Sequence, residues 1–310
     1  MMFDLLSDIL ANLRFEASSY FCSEFSGRWG IAGGSGCHGE FHILLRGRAW
    51  LSVGGAEPQV LQAGDIVLLP RGRQHTLAAE PGAALVDGAT LVSELQGGVN
   101  RFSGPEADTT LICGRFQTRR LHHPFLNSLP DMIHIGEASS PMLKALRHVV
   151  QTLAAELQLQ PMGAALVRDR LTEVLIIQLL RIYILEQQPG DFLAALSDRQ
   201  ISRALTLMHR DITHPWTVEL LGQEVGMSRS AFSDRFHQLV GVPPMGYLLN
   251  WRMQRAQVLL QESGCSMLDI AEQTGYASEA SFGKAFKRVY GISPGLVRRQ
   301  HLADGGTAGS

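Results

Sequence analysis

The apolar residues change rhythm once along the chain, near Pro130. From about Tyr20 to Cys113 they come in short β-type runs broken by glycine: FHILLRG, AWLSVGG, DIVLLPRG, AALVDGATL and TTLICGRF. Regular short strands separated by turn signals predict an all-β barrel or sandwich. The intervening SELQGGVNRFSGPEADT reads as a loop, and the first twelve residues fit one short amphipathic helix. After Pro130 the period is helical. PMLKALRHVVQTLAAELQ and GAALVRDRLTEVLIIQLLRIYILEQQ predict two long helices that need cover from the β domain, from each other or from a second copy. The Pro-Gly of QQPGDF, Gln187 to Phe192, marks a linker. Beyond it lie SDRQISRALTLMHRDI, TVELLGQEV, SRSAFSDRFHQLV, MGYLLNWRMQRAQVLLQES, SMLDIAEQT and SEASFGKAFKRVY, all helical in pattern. Thr217, Ser228, Ser266 and Ser278 stand where four of these helices begin, with oxygens placed to cap free N–H groups.

The helical third contains a repeat. GMSRSAFSDRFHQLVGVPPMGYL returns as GYASEASFGKAFKRVYGISPGLVRR: Gly226 answers to Gly275 at a spacing of 49. Phe232, Phe236, Gly241 and Pro244 answer to Phe282, Phe286, Gly291 and Pro294 at 50, so one extra residue falls in the turn before the second helix. In each copy the aromatic residues form an inner face, and Gly226 permits the sharp turn. Arg229, Ser230, Ser233, Asp234 and His237 then face outward in the first copy. Glu279, Ser281, Lys284, Lys287 and Arg288 do so in the second. A duplicated helix, glycine turn and helix is a device for reading DNA at two adjacent grooves. Polar groups at a helix N-terminus reach base edges, and basic groups on later turns neutralise phosphates. The net charge of −2 hides an asymmetry. Residues 199–301 carry 12 Lys and Arg against 8 Asp and Glu, while residues 1–198 carry 15 against 20. A basic third on an acidic body fits a DNA-binding module attached to something else.

Residues 199–300 resemble the DNA-binding domain of the AraC/XylS family of bacterial transcription regulators, and the segment Gly275 to Arg299 matches the family signature almost throughout. The resemblance implies seven helices and two helix-turn-helix units joined rigidly by the MGYLLNWRMQRAQVLL helix. The reading helices would enter successive major grooves about 34 Å apart. By position, Ser230, Ser233, Asp234 and His237 take the base-reading places of the first unit, and Glu279, Ala280, Ser281 and Lys284 those of the second. Asp234 departs from the long basic or amide side chain common there. An acid cannot pair with phosphate but can accept from cytosine N4.

The β-rich half carries its own motif. GDIVLLPRGRQH, Gly64 to His75, matches the second cupin motif, G-x5-P-x-G-x2-H, at every fixed position. The first motif is partial, with Glu40, six residues and Gly47 in place but no HxH ahead of them. Instead His38, Glu40 and His42 recur at period two, which in a strand places them on one face. With His75 across the barrel, they could hold a first-row divalent metal such as Zn, Ni, Fe or Mn. The same histidines also fit a packed core or a small-ligand pocket. LICGRF followed by HHPFLNSLPDMIHI is similar to the AraC subgroup that includes reactive-chlorine-sensing activators, which extends the resemblance from about Phe21 to Arg299. That subgroup carries a Cys early in the barrel domain and one in the ICG-type strand. Cys22 and Cys113 occupy comparable places and are candidate redox thiols; Cys37 is a weaker one and Cys265 reads as structural.

The four cysteines form no CxxC pair, so neither a zinc ribbon nor a disulfide framework is indicated. MMFDLLSDIL has no basic n-region, and the longest apolar run, VLIIQLLRIYIL, is too short to span a bilayer. A cytoplasmic, non-membrane protein is expected. Its fold class is two-domain: a cupin-like all-β barrel with a helical dimerisation segment, then an all-α domain with two helix-turn-helix units. The expected boundaries are 1–136 for effector sensing, 137–190 for the helix pair and linker, 191–302 for DNA binding, and 303–310 for a disordered tail. The function read from this is a homodimeric transcription regulator, an activator by family habit and not an enzyme. Its expected partners are double-stranded promoter DNA, RNA polymerase and a small effector. Two alternatives stay open: a cupin metalloenzyme of dioxygenase or isomerase type fused to a DNA-binding domain, and a binding module whose helix pair scaffolds another protein.

Overall fold

The computed structural model describes residues 5–13, 15–34, 38–118, 126, 129–136, 141–186, 192–262 and 264–299. The chain opens with α1 (Leu5–Leu13) and then enters the β-rich unit. Its strands are β1 (Phe15–Phe25), β2 (Gly30–Gly33), β3 (Gly39–Arg46), β4 (Arg48–Val53), β5 (Gln59–Gln62), β6 (Ile66–Leu69), β7 (His75–Ala78) and β8 (Val86–Asp87). Next come α2 (Gly88–Gln96), β9 (Thr109–Thr118) and β10 (Ile133–Ile135), followed by α3 (Pro141–Leu159) and α4 (Ala164–Glu186). The strands form two five-stranded sheets, ordered β1-β9-β3-β6-β10 and β5-β4-β7-β2-β8. Phe21, Phe25, Leu44, Val67, Leu69, Leu111 and Cys113 from the first sheet bury against Ile31, Ala49, Leu51, Leu61 and Leu77 from the second, with Trp29 among them. Burying these side chains contributes about 1.5–3 kcal/mol each for the larger ones. The helix pair finds two of its three expected covers: α3 packs on α4, and both pack on β1.

One element departs from the apolar pattern. AALVDGATL was expected as a strand, yet only Val86–Asp87 pairs, in parallel with β2. Asp87 then accepts from the Thr90 backbone N–H at 2.9 Å and starts α2, whose last turn takes SELQ out of the expected loop. An N-cap carboxylate outweighs the short apolar run here, and Leu91 anchors the helix in the core at 0% exposure.

The second compact unit comprises Met1–Leu13 with Gly190–Ser310, and the first Arg14–Pro189. The helix α1 therefore belongs with the C-terminal helices rather than with a sensing domain running over 1–136. Ile9 and Leu10 are buried, and Asp8 Oδ2 lies 2.6 Å from Nδ1 of His209. A nine-residue helix is marginal alone and takes its stability from such docking. The unit continues with α5 (Phe192–Ser197), α6 (Arg199–Arg210), α7 (Val218–Glu224), α8 (Arg229–Val240), α9 (Pro244–Glu262), α10 (Met267–Gln273) and α11 (Glu279–Tyr290), then a short helix over 294–299. Thr217, Ser228, Ser266 and Ser278 cap α7, α8, α10 and α11 as their sequence positions predict. Gly226 and Gly275 turn each pair with φ of +71° and +79°, a region closed to most side chains. Most of the linker expected at QQPGDF, at 187–191, lies outside the described residues, as do Cys37 and the tail over 303–310. Among the described residues no helix is long and apolar enough to cross a membrane.

Candidate functional site

The two copies of the repeat build matching helices. In α8 the Ser228 hydroxyl accepts from Ala231 N–H, Gly241 ends the helix at φ +79°, and Phe232, Phe236 and Val240 are buried. That burial leaves Arg229, Ser230, Asp234 and His237 exposed, with Ser233 half-buried. In α11 Ser278 accepts from Ser281 N–H, Gly291 ends the helix at φ +75°, and Phe282, Ala285 and Phe286 are buried. Glu279, Ala280, Ser281, Lys284, Lys287 and Arg288 are all exposed. Ser281 is partly committed, since its hydroxyl donates to Ser278 O at 2.9 Å. Every residue assigned from sequence to a DNA-facing role thus lies on one of two helices, none of them fully buried.

The connecting helix was legible in the pattern, but the side-chain ties that fix it were not. Arg252, in the middle of α9, donates from Nε to Ile212 O and from Nη2 to His214 O, both at 2.8 Å. The same guanidinium sits 6.0 Å over the Tyr276 ring, in the turn of the second pair. Along the same helix Tyr247, Trp251, Met253, Ala256 and Leu260 are buried. Asp198 caps α6 at Gln200 and Ile201 N–H and also holds Arg235 of α8 at 2.5 Å. An arginine at a helical surface spacing reads as solvated, so only the fold reveals these ties.

In the β-rich unit three of the four expected ligand residues converge. Glu40 and His42 share a face of β3, and His75 opens β7 in the other sheet. Their donor atoms lie within 4.8 Å of one another. His42 Nε2 is 2.7 Å from His75 Nε2, and Glu40 Oε2 is 3.6 Å from the same atom. Each side chain has an outer anchor: Gly34 N–H to Glu40 Oε1 at 3.3 Å, Arg73 O to His75 Nδ1 at 2.9 Å, and Cys113 Sγ to His42 Nδ1 at 3.0 Å. Gly33 pairs with His75 in register, and a Cβ there would lie 2.6 Å from His75 Nε2 and 3.1 Å from Glu40 Oε2. The missing side chain leaves a cradle beside two imidazoles and a carboxylate, a donor set that suits a first-row divalent cation. Burial, and then the neighbouring His75, hold His42 well below the ordinary imidazole pKa, so its lone pair stays available. His38 lies on the bend before β3, half-buried and outside the trio.

The two candidate thiols stand differently. Phe21 of β1 is opposite Cys113 and Cys22 opposite Ile112, so alternation puts Cys22 and Cys113 on opposite faces of one sheet. Burial raises the pKa of both, joined at Cys113 by the Glu40 and Cys22 charges. At Cys22 the Gln158 amide opposes the shift and Glu24 adds to it. Both shifts favour the thiol over the thiolate that oxidants attack.

Two sheets enclosing a Glu–His–His trio, together with a tandem pair of capped helix-turn-helix motifs, define a cupin-type unit joined to a helix-turn-helix unit. Known proteins agree. A cupin family model matches residues 4–184, and a helix-turn-helix domain model matches residues 221–300. A protein of Streptomyces antibioticus named an AraC-like transcription regulator is 34% identical over 96% of this chain and 99% of its own length. The transcriptional regulator AlkR of Acinetobacter baylyi is 33% identical over 96% and 99%. The RCS-specific transcriptional activator RclR of Escherichia coli K12 is 27% identical over 84% of each. The chain belongs to the AraC-like transcription regulators.

Proposed function

We propose that the protein binds promoter DNA through α8 and α11 and regulates transcription in response to a signal received by the cupin-type unit. The observation that carries this reading is the pair of exposed polar helix faces, on Arg229–His237 and Glu279–Arg288, built on one continuous α9. In that role Ser230, Ser233, Asp234 and His237 read one groove and Glu279, Ala280, Ser281 and Lys284 the next. Lys287 and Arg288 neutralise phosphates. Glu40, His42 and His75 hold a divalent cation, which is the signal itself or the platform for a small effector. Bound there, the cation would act as a Lewis acid able to draw an effector's oxygen or nitrogen into the site. Regulation rather than catalysis is favoured because relatives matching over 96% of the chain are named regulators. A homodimer through α3 and α4 is supported by Leu159, Met162, Leu166 and Val174, large apolar side chains left in solvent on those helices and their connection. The dimer would set the spacing of the reading heads and their contact with RNA polymerase, with activation as the outcome.

A footprint of the reduced full-length protein on its own upstream region, at stated salt, tests the DNA reading. Protection over about two helical turns, in single or paired blocks, is expected. Uniform cleavage across that region and across a randomised-site selection would overturn it.

A further inference from the structure

We infer that Cys113 is a positioning residue for the cation site: its thiol holds the ring of His42 so that Nε2 faces His75 and Glu40. The inference rests on the cation reading given above and adds a residue to it. His42 and Cys113 are directly opposite in the β3–β9 pairing, so their side chains leave the sheet on the same face. The sulfur meets Nδ1 of His42 at 3.0 Å while Nε2 of the same ring meets His75 at 2.7 Å. An imidazole is rigid and two-ended, and whatever fixes one nitrogen aims the other.

The three anchors of the trio are unequal. Glu40 is held by the Gly34 backbone N–H, and His75 by the Arg73 backbone carbonyl. That carbonyl only accepts, so the His75 proton sits on Nδ1 and its Nε2 presents a lone pair. Both of these anchors are backbone groups, which a substitution other than proline at position 34 leaves in place. The anchor of His42 is a side chain, and it is the one that sequence change can remove.

A thiol also suits the exchange the site must make. Without a cation, Nε2–H of His42 donates to His75 Nε2, and the thiol S–H donates to the bare Nδ1. Were His42 to offer the Nε2 lone pair to a cation, its proton would sit on Nδ1 and the sulfur would accept it as a hydrogen bond. The ring keeps its place in both states because sulfur donates weakly and accepts weakly. Cys113 thereby lets the site load and unload without repacking the buried strands around it. Its burial, at 5% exposure, is what this role needs and the opposite of the access a reactive thiolate needs.

Alanine and serine leave the same small side-chain volume and differ in the hydroxyl, so Cys113→Ala and Cys113→Ser separate hydrogen bonding from packing. The untagged full-length protein and both variants would be titrated with cobalt(II), following the visible absorption bands and competing with a chelator. About one equivalent is expected for the unsubstituted protein and for Cys113→Ser, with the same spectrum. Cys113→Ala should bind about 10- to 100-fold more weakly, with shifted bands. Thermal melting reports on folding, and Cys113→Val, which refills the core, replaces Cys113→Ala if the latter melts early. Equal affinity and spectrum for alanine and cysteine would overturn the inference, as would equal weakening by alanine and serine. No cobalt on the unsubstituted protein would sink the cation reading itself, and the role of Cys113 with it.

Discussion

Asp234 and Lys284 occupy equivalent exposed places, fifty residues apart, on the two reading helices, yet carry opposite charge. Helical periodicity made both legible, because each is forced outward by the buried phenylalanines of its own helix. The charge difference predicts unequal contributions. Lys284→Ala should weaken operator binding by about 1–3 kcal/mol if it reads a base. Arg288→Ala should weaken binding alike on all sequences and flatten the salt dependence by about 1 if it touches phosphate. Fluorescence anisotropy at several salt concentrations separates the two, and unchanged affinity for either variant removes that residue from the surface. No residue-level pattern could point to Arg252, since its partners at Ile212, His214 and Tyr276 come from loops distant in the chain.

At the scale of elements, the capping residues were the most legible feature. Ser266 accepts from Asp269 N–H while the Asp269 carboxylate accepts from the Ser266 N–H, a closed capping box that starts α10. Hydroxyl and backbone hydrogen bonds from Ser266 lower the Asp269 pKa accordingly. Ser266→Ala should cost about 0.5–2 kcal/mol of stability, measured as a lower urea midpoint at unchanged slope. An unaltered midpoint would mean that the packing of Ile270 and Ala271 alone holds the helix. The same chemistry explains the strand that was not formed. Asp87 stands at the front of GATLVSELQ just as Ser266 stands at the front of MLDIAEQ, and cap geometry outranks a short apolar run. Alternation in β3 was legible in part. It placed Glu40 and His42 on one face but could not show that His38 falls on the bend before the strand.

Two predictions belong to the whole molecule. His209 is buried between Asp8 of α1 and the Tyr247 hydroxyl, at 2.6 and 2.7 Å. Burial lowers its pKa from 6.5, and the Asp8 carboxylate only partly opposes this. As pH falls below about 6.5 the unfolded chain therefore takes up this proton before the folded one does. The contribution of His209 to stability is level above that pH and drops below it. Urea titrations at pH 7.5 and 5.5 should show the loss, and His209→Gln should reduce the difference; a larger difference in the variant would reverse the assignment. The second concerns assembly. Leu166→Glu with Val174→Glu, both at exposed positions of α4, should give monomers by light scattering while leaving the melting profile of the β-rich unit in place. A dimer of unchanged mass would move the interface away from this helix.

Local chemistry carried much of this protein in readable form. The change of period near Pro130, the fifty-residue repeat, the four cap positions and the outward polar faces of α8 and α11 all rest on contacts a few residues apart, where spacing alone dictates geometry. The cupin motif was readable for the same reason. Long-range packing settled the rest. The β3–β9 register sets His42 opposite Cys113, 71 residues on, and the packing of one sheet on the other brings it within reach of His75, 33 residues on. Burial assigns α1 to the C-terminal helices through Asp8 and His209, 201 residues apart. A hydrogen bond between distant residues depends on which surfaces meet, and a one-dimensional pattern records the faces that need cover but not the partner each one finds.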